Sequence, residues 1–418
     1  MTKSGDINLI VQNALVWGEA GPQDYAFCDG RYVSLTANTD QSKARVIDAK
    51  GKLAVPGFIE PHIHLDKALI NEDVRVNVSG TLDEAIEIIW DRKKKYTVED
   101  IVGRAGRVIQ SAVANGVTRM RSHVDVDTIG GLRPLEGVLE AKRQYSDLID
   151  IEIVAFPQEG ILSNPGTEDL LWQAMEMGAD VVGGMPFNEA SPEDSLAHIR
   201  IAFDIAQKYD ADVDMHVDET DNPAARTLEM LAREAIARGW HGRVTAGHTC
   251  ALAAYPDDYA DQIISLVREA GVNMIMNPVT NLMLQGRLDR QPKRRGITRV
   301  KELIAAGANV SFGQDCVKDT FYPFGRSDML EVALIAAHAA HMSQPDEIEA
   351  VFAMPTRNAA RLLRLDDYGT APGCLGDMVI IDASSPADAI TKQADRLCVI
   401  KRGRVVAETS TTRHVYRS

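Results

Sequence analysis

The chain has 418 residues, of which 45% are hydrophobic, 25% charged and 6% aromatic, so it can bury a large core without disulfide or metal staples. With 45 Lys and Arg against 60 Asp and Glu, the formal charge is −15. That balance argues against nucleic acid and anionic membranes as main partners, since both need a cationic face, and no apolar run approaches the roughly 18–20 residues of a membrane span.

The opening MTKSGDINLI is not expected to act as a secretory signal, because no basic segment leads into an apolar stretch. INLIVQNALVW and YAFCDGRYVSL then alternate apolar and polar residues around turn formers and predict short strands. At the other end MVIIDAS and LCVIKRGRVVAE read the same way, with Arg402-Gly403 as a hairpin turn. Neither end can form a good core alone. Residues 1–56 and 369–418 are therefore expected to build one small β-sandwich domain together.

Residues 57–368 have a different rhythm. The runs LAVPGFIEPHIH, VTRMRSHV, IEIVAF, DVVGGM, ADVDMHV, RVTAGH, VNMIMN and ANVSFG are eight candidate strands. Most lie about 30 residues apart, the length of a βα unit. Between them TLDEAIEIIWDRKKKY, SLAHIRIAFDIAQKYD, AARTLEMLAREAIARG and ITRVKELIAAG carry apolar residues at helical spacing. Eight such units predict an α/β (β/α)8 barrel of the TIM type, with an open doubly wound sheet as the alternative. Leu65 to Asn77 has no helical period and is a candidate active-site loop.

Chemistry in such a barrel sits at the C-terminal ends of the strands. Of ten histidines, five fall at these tips: His62, His64, His123, His216 and His248. His62 and His64 are two apart, so in a strand they point the same way and could clamp a metal. A structural pair is the competing reading of a lone H-x-H. His216 and Asp315 on other tips extend the set to three nitrogens and a carboxylate, a donor set for Zn²⁺ or Fe²⁺. Glu219, three residues past His216, is placed to move a proton, unless it is a solvated acid. His248 could polarise the attacking water or be a core histidine, and His123 could be structural. His198, His241, His338, His341 and His414 read as non-catalytic.

Other chemistries have weaker support. The five cysteines, at 28, 250, 316, 374 and 398, contain no C-x-x-C, which disfavours a zinc ribbon, a dithiol site or a disulfide framework and suits a reducing cytoplasm. Dinucleotide, P-loop, nucleophile-elbow and zincin motifs are missing. Cys250 and Cys316 near the barrel mouth leave a Cys–His mechanism conceivable, against the commoner role of small apolar filler. The basic run Gln291 to Gly296 reads as a solvated loop or salt-bridged lid.

The stretch Pro56-Gly57-Phe58-Ile59-Glu60-Pro61-His62-Ile63-His64-Leu65-Asp66 resembles the first metal-binding strand of the amidohydrolase superfamily. More narrowly the chain is similar to bacterial cytosine deaminases, through AFPQEGIL (155–162), MHVDET (215–220), RVTAGHT (243–249), LQGRLDRQPKRRGITRVKEL (284–303), FGQD (312–315) and YPFG (322–325). The resemblance implies one divalent metal per subunit, zinc or iron, held by His62, His64, His216 and Asp315. It implies Glu219 as proton shuttle, His248 and Asp315 as groups that orient water, and Gln158 as reader of the substrate ring. Phe156, Cys316 and Phe321 are then expected at the pocket wall. Two-metal relatives use a lysine at the end of strand four, where this chain reads DVVGGMPF.

Departures from the pattern fall on the pocket wall. Cys316 replaces a second acid, Gln314 stands where a histidine is common, and Phe321 and Tyr322 are the nearest candidates for a usual tryptophan. The expected activity is hydrolytic deamination of an amino-substituted N-heterocycle: cytosine, or a relative such as isoguanine, a pterin or an aminotriazine. Two alternatives stand beside it: removal of an alkylamine from an N-alkyl aminotriazine, and a non-catalytic binding protein on a retained barrel. The substrate, the metal and the number of subunits stay open, a homo-oligomer included.

Overall fold

A computed structural model describes residues 6–35 and 41–417. Five strands come first: β1 (Leu9–Val16), β2 (Gln23–Cys28), β3 (Arg31–Val33), β4 (Arg45–Asp48) and β5 (Leu53–Val55). The barrel strands follow as β6 (Phe58–Ile63), β7 (Val117–Asp125), β8 (Asp150–Phe156), β9 (Val181–Gly184), β10 (Asp212–Val217), β11 (Val244–His248), β12 (Asn273–Met276) and β13 (Val310–Phe312). The chain ends with β14 (Met378–Ile381), β15 (Arg396–Lys401) and β16 (Arg404–Glu408).

Strands β6 to β13 form one parallel sheet in sequence order, with helices between them. Every residue of β6, β9, β11, β12 and β13 is buried, as a parallel strand covered on both faces requires. The helices lay their apolar faces on the sheet. Thr81 and Ser191 cap the helices Leu82–Lys93 and Pro192–Tyr209 by accepting from the amides of Glu84 and Asp194. The ring closes between β6 and β13. The Asp315 amide donates to the His62 carbonyl at 2.8 Å, and the His64 amide donates to the Asp315 carbonyl at 3.1 Å. The buried Glu60 carboxyl spans the same seam by accepting from the His62 and Gln314 amides, each at 3.1 Å. This is the (β/α)8 barrel that the alternation predicts.

Both ends of the chain build the β-sandwich. β1 belongs to two sheets, one with β2, β3 and β4 and the other with β5, β14, β15 and β16. Leu9, Val11, Phe27 and Tyr32 share a core with Met378, Ile380 and Ile400. The Arg402-Gly403 turn has φ of 46° and 69°, a two-residue hairpin of the primed type. Lys401 ties this layer to the barrel, its buried ammonium donating to the Thr118 carbonyl, to Asp150 at 2.7 Å and to Asp377 at 2.7 Å.

The structure divides one predicted strand. LAVPGFIEPHIH is not continuous: β5 pairs with β14, and β6 opens the barrel. Pro56 has no N–H to continue a ladder, and at Gly57 a Cβ would fall 2.0 Å from the Thr118 hydroxyl. The helix expected in ITRVKELIAAG is limited to Val300–Ala305. Among the described residues no helix is long and apolar enough to cross a membrane.

Candidate active site

The strand ends bring His62, His64, His216, His248 and Asp315 together, all buried. Donor atoms of His62, His216, His248 and Asp315 all lie within 4.8 Å of one another. His64 joins them, its Nε2 lying 3.2 Å from His216 Nε2 and 3.2 Å from Asp315 Oδ1. His62 Nε2 is 3.5 Å from the same carboxylate oxygen. Ligand bonds of about 2.0–2.2 Å put neighbouring tetrahedral donors roughly 3.3–3.6 Å apart. The three measured separations are close to that spacing.

Two further observations fit a cation. Both ring nitrogens of His62 and Nδ1 of His216 are buried without hydrogen-bond partners. His64 Nδ1 donates to the His123 carbonyl at 3.1 Å, which leaves the Nε2 lone pair facing the cluster. Burial, reinforced by neighbouring cationic or imidazole groups, lowers the pKa of His64 to about 4 and that of His216 well below its ordinary value. Both are therefore neutral ligand-type imidazoles at pH 7. Burial works against ionisation of Asp315, but the adjoining His62, His64 and His248 imidazoles outweigh it and hold the carboxyl well below the usual range.

Backbone geometry sets these side chains. Gly247 and Gly313 flank His62: a Cβ at Gly247 would sit 3.1 Å from its Cε1, and one at Gly313 would sit 2.6 Å from its carbonyl oxygen. His248, Thr249 and Asp315 take φ of 68°, 49° and 63°, each a left-handed conformation costing about 1–3 kcal/mol in a non-glycine residue. The Thr249 amide and hydroxyl hold that turn through the Val217 carbonyl and the Thr298 hydroxyl. Asp218, at φ 45°, anchors the end of β10 by accepting from Thr227 and Leu228 at the start of the helix Thr227–Arg238. Glu219 follows directly.

Glu219 Oε1 accepts from Asn281 Nδ2 at 2.9 Å and lies 3.2 Å from His248 Nδ1. Burial, and then the Asp315 charge, raise its pKa well above the ordinary carboxyl value. Burial also lowers His248 to about 3. Asn277 Nδ2 donates toward His248 Nε2 at 3.1 Å. The site thus pushes two carboxyls in opposite directions, Asp315 toward ionisation and Glu219 toward protonation, the division of labour that acid–base chemistry needs.

A tight cavity of about 20 Å³ lies over the cluster, lined by His64, Lys67, Phe156, Gln158, Glu219 and Phe321 among others, with Cys316 also on its wall. Phe156 stacks on His216 with ring centroids 4.1 Å apart. Tyr322 is buried but does not line this cavity. A wider vestibule, about 660 Å³ and open to solvent, shares Leu82, Glu219 and Leu284 with it. Burial raises the pKa of both Cys250 and Cys316 well above the ordinary thiol value, which disfavours a thiolate at either.

Other expectations resolve locally. His123 is buried against His62, ring centroids 4.1 Å apart, and serves His64 through its carbonyl. His198 holds the Met185 amide with Nε2, and its Nδ1 lies 2.7 Å from Glu189 Oε1, away from the cluster. In the basic run, Arg294 pairs with Asp289 at 2.7 Å and donates to the Asp221 carbonyl, so the loop is salt-bridged near the mouth. Asn281 and Lys67 were not singled out by the sequence. Asn281 sits in an ordinary helical stretch, and Lys67 looks like any solvated lysine until Asp125 and Gln158 are folded around it.

A model of the amidohydrolase family matches residues 45–407. The structure resembles 5-methylcytosine deaminase from Klebsiella pneumoniae, solved with 5-fluorocytosine, at a TM-score of 0.93 and 40% identity over 97% of this chain and 99% of that one. N-isopropylammelide isopropyl amidohydrolase of Pseudomonas sp. (strain ADP) is 31% identical over 411 residues, 97% of this chain and 98% of that protein. Pterin deaminase of Rhizobium rhizogenes is 30% identical over 412 residues, 96% and 92% of the two chains.

Proposed function

The chain belongs to the amidohydrolase family and is a hydrolase acting on C–N bonds, and from that premise we propose that it hydrolytically deaminates an amino-substituted N-heterocycle of the cytosine type, releasing ammonia. The observation that carries this reading is one small cavity. It joins the His64, His216 and Asp315 donor wall, the buried Glu219–His248 pair and the Gln158 amide among aromatic rings. The 40% identity to a 5-methylcytosine deaminase supports a pyrimidine. Cys316, an uncharged thiol where an acid is usual, gives the wall room for a ring substituent without a charge to desolvate.

His62, His64, His216 and Asp315 would hold one zinc or iron ion. When bound, it supplies a nucleophilic water by lowering the pKa of that water toward about 7. Asp315 and His248 orient the water at the amidine carbon. Glu219, kept protonated by burial, donates to the ring nitrogen beside that carbon and makes it electrophilic. Water oxygen adds to carbon, and the C=N π pair moves onto the protonated ring nitrogen. Glu219 then carries a water proton to the exocyclic nitrogen. The C–N bond breaks as the added hydroxyl returns its remaining proton to Glu219 and its oxygen forms the C=O of a ring amide, and ammonia leaves. Phe156 and Phe321 exclude bulk water from the ring.

A second reading, hydrolysis of an N-alkyl aminotriazine, is supported by the Pseudomonas relative and by the vestibule adjoining Glu219, which offers space for an alkyl group. The two readings separate by product. The purified protein, with its metal content measured, is assayed on cytosine, 5-methylcytosine, isoguanine, guanine, pterins and aminotriazines, with the released amine identified. Ammonia from a cytosine-type ring is expected. Alkylamine alone would transfer the assignment to the second reading, and metal-loaded protein inert on every ring would end both.

A further inference from the structure

Lys67 lies three residues beyond His64, on the segment leaving β6, and is 1% exposed on the wall of the catalytic cavity. Its ammonium donates to Asp125 Oδ1 at 2.7 Å and to Gln158 Oε1. An ammonium can only donate, so it compels the Gln158 amide to face it oxygen first. Gln158 Nε2 is thereby turned away, and it has no hydrogen-bond partner although the residue is 4% exposed. Leaving a buried amide donor unanswered is costly. Among the described residues Lys67 itself has two hydrogen-bond acceptors for three N–H groups. Beyond them stand the Phe156 and Phe321 rings, with centroids 5.3 and 5.8 Å from Nζ.

We propose that Lys67 is a specificity-determining residue: with the Gln158 amide that it orients, it selects rings carrying a carbonyl oxygen next to the reacting N=C–NH₂ unit. This deepens the deaminase reading and rests on it. A carbonyl oxygen has two lone pairs and can accept from both Lys67 and Gln158, which a ring C–H cannot. The oxygen is also conjugated to the ring nitrogen that receives the π pair when water adds. Some of that developing charge spreads onto it. A fixed cation and an amide N–H at that point stabilise the charge as it forms, so the pair acts on kcat as well as on KM. Aminopyrimidines with the oxo group are accepted and their deoxo counterparts are rejected.

The test compares wild type with Lys67→Met, metal-loaded and with metal content checked. Asp125 keeps Lys93 at 2.7 Å, so the substitution does not strand its carboxylate. Should the single variant fail to fold, Lys67→Met/Asp125→Asn removes the acid as well. Affinities are measured for pyrimidin-2-one and pyrimidine, and turnover for cytosine and 4-aminopyrimidine. The variant should lose roughly 10- to 100-fold in affinity for pyrimidin-2-one, lose cytosine turnover through both kcat and KM, and hold pyrimidine within about threefold. Undiminished binding of pyrimidin-2-one overturns the proposal, as does an equal loss for the ring without oxygen. If wild type turns over no ring, the deaminase reading fails, and the affinity ratio still judges Lys67 by itself.

Discussion

Replacing Glu219 by Gln tests the acid–base assignment most directly. Gln has the same shape, and its amide oxygen can keep the 2.9 Å hydrogen bond from Asn281. What it loses is the transferable proton. General acid–base catalysis is worth roughly 10²–10⁴-fold, so kcat/KM should fall by that factor, or by about 3–5 kcal/mol of transition-state stabilisation. Folding should change by no more than about 1 kcal/mol, because the Asn281 bond and the packing survive. Metal content should be unchanged, since Glu219 is outside the proposed donor set. The assay combines ammonia release, elemental analysis and thermal melting on the same preparation. A variant that deaminates within threefold of wild type would refute the proton-shuttle argument. A variant that loses metal would show that Glu219 serves the ion instead.

Three further outcomes follow from the packing. Gly313→Ala puts a Cβ 2.6 Å from the His62 carbonyl and 2.9 Å from Asn277 Oδ1, so overpacking should cost about 1–3 kcal/mol and weaken metal retention, read by melting and dialysis against chelator. Unchanged metal affinity would show that the β6–β13 seam yields there. Burial raises the Asp319 pKa to about 7. Its unfolded form ionises near 4, so wild type loses stability progressively as pH rises from about 4 to 7 and no further above that. Asp319→Asn should therefore gain stability relative to wild type, by a few kcal/mol at most, between pH 4 and pH 8. Denaturant melts at both pH values check the sign, and a flat difference would contradict it. Lys401→Met leaves Asp150 and Asp377 facing a buried site without their shared ammonium, and should cost about 3–5 kcal/mol in denaturant unfolding. A change below about 1 kcal/mol would mean that water replaces the ion pairs.

Much of the site was legible because strand periodicity and barrel architecture act together. Once eight strands are recognised, His62, His64, His216, His248 and Asp315 fall at the same ends, and the fold has to bring those ends into one ring. Lys67 was not legible in this way. Its side chain is ordinary in sequence, and its burial is decided by Asp125 and Gln158, which stand 58 and 91 residues away. Glu60 is similar, since its carboxyl becomes the clasp of the seam only when Gln314 arrives 254 residues later. The break between β5 and β6 carried a signal at Pro56-Gly57, but continuous hydrophobicity on either side concealed it.

By itself the sequence determined the alternation of strands and helices, the barrel that follows from it, and the residue types available at each strand tip. These depend on side-chain period and backbone chemistry, which act within a few residues. Only the tertiary structure decided which nitrogens face one another at 3.2 Å, which carboxyl is pushed toward protonation and which lysine turns the Gln158 amide. Those properties belong to distances and local dielectric, and both come into being when segments remote in the chain exclude water together.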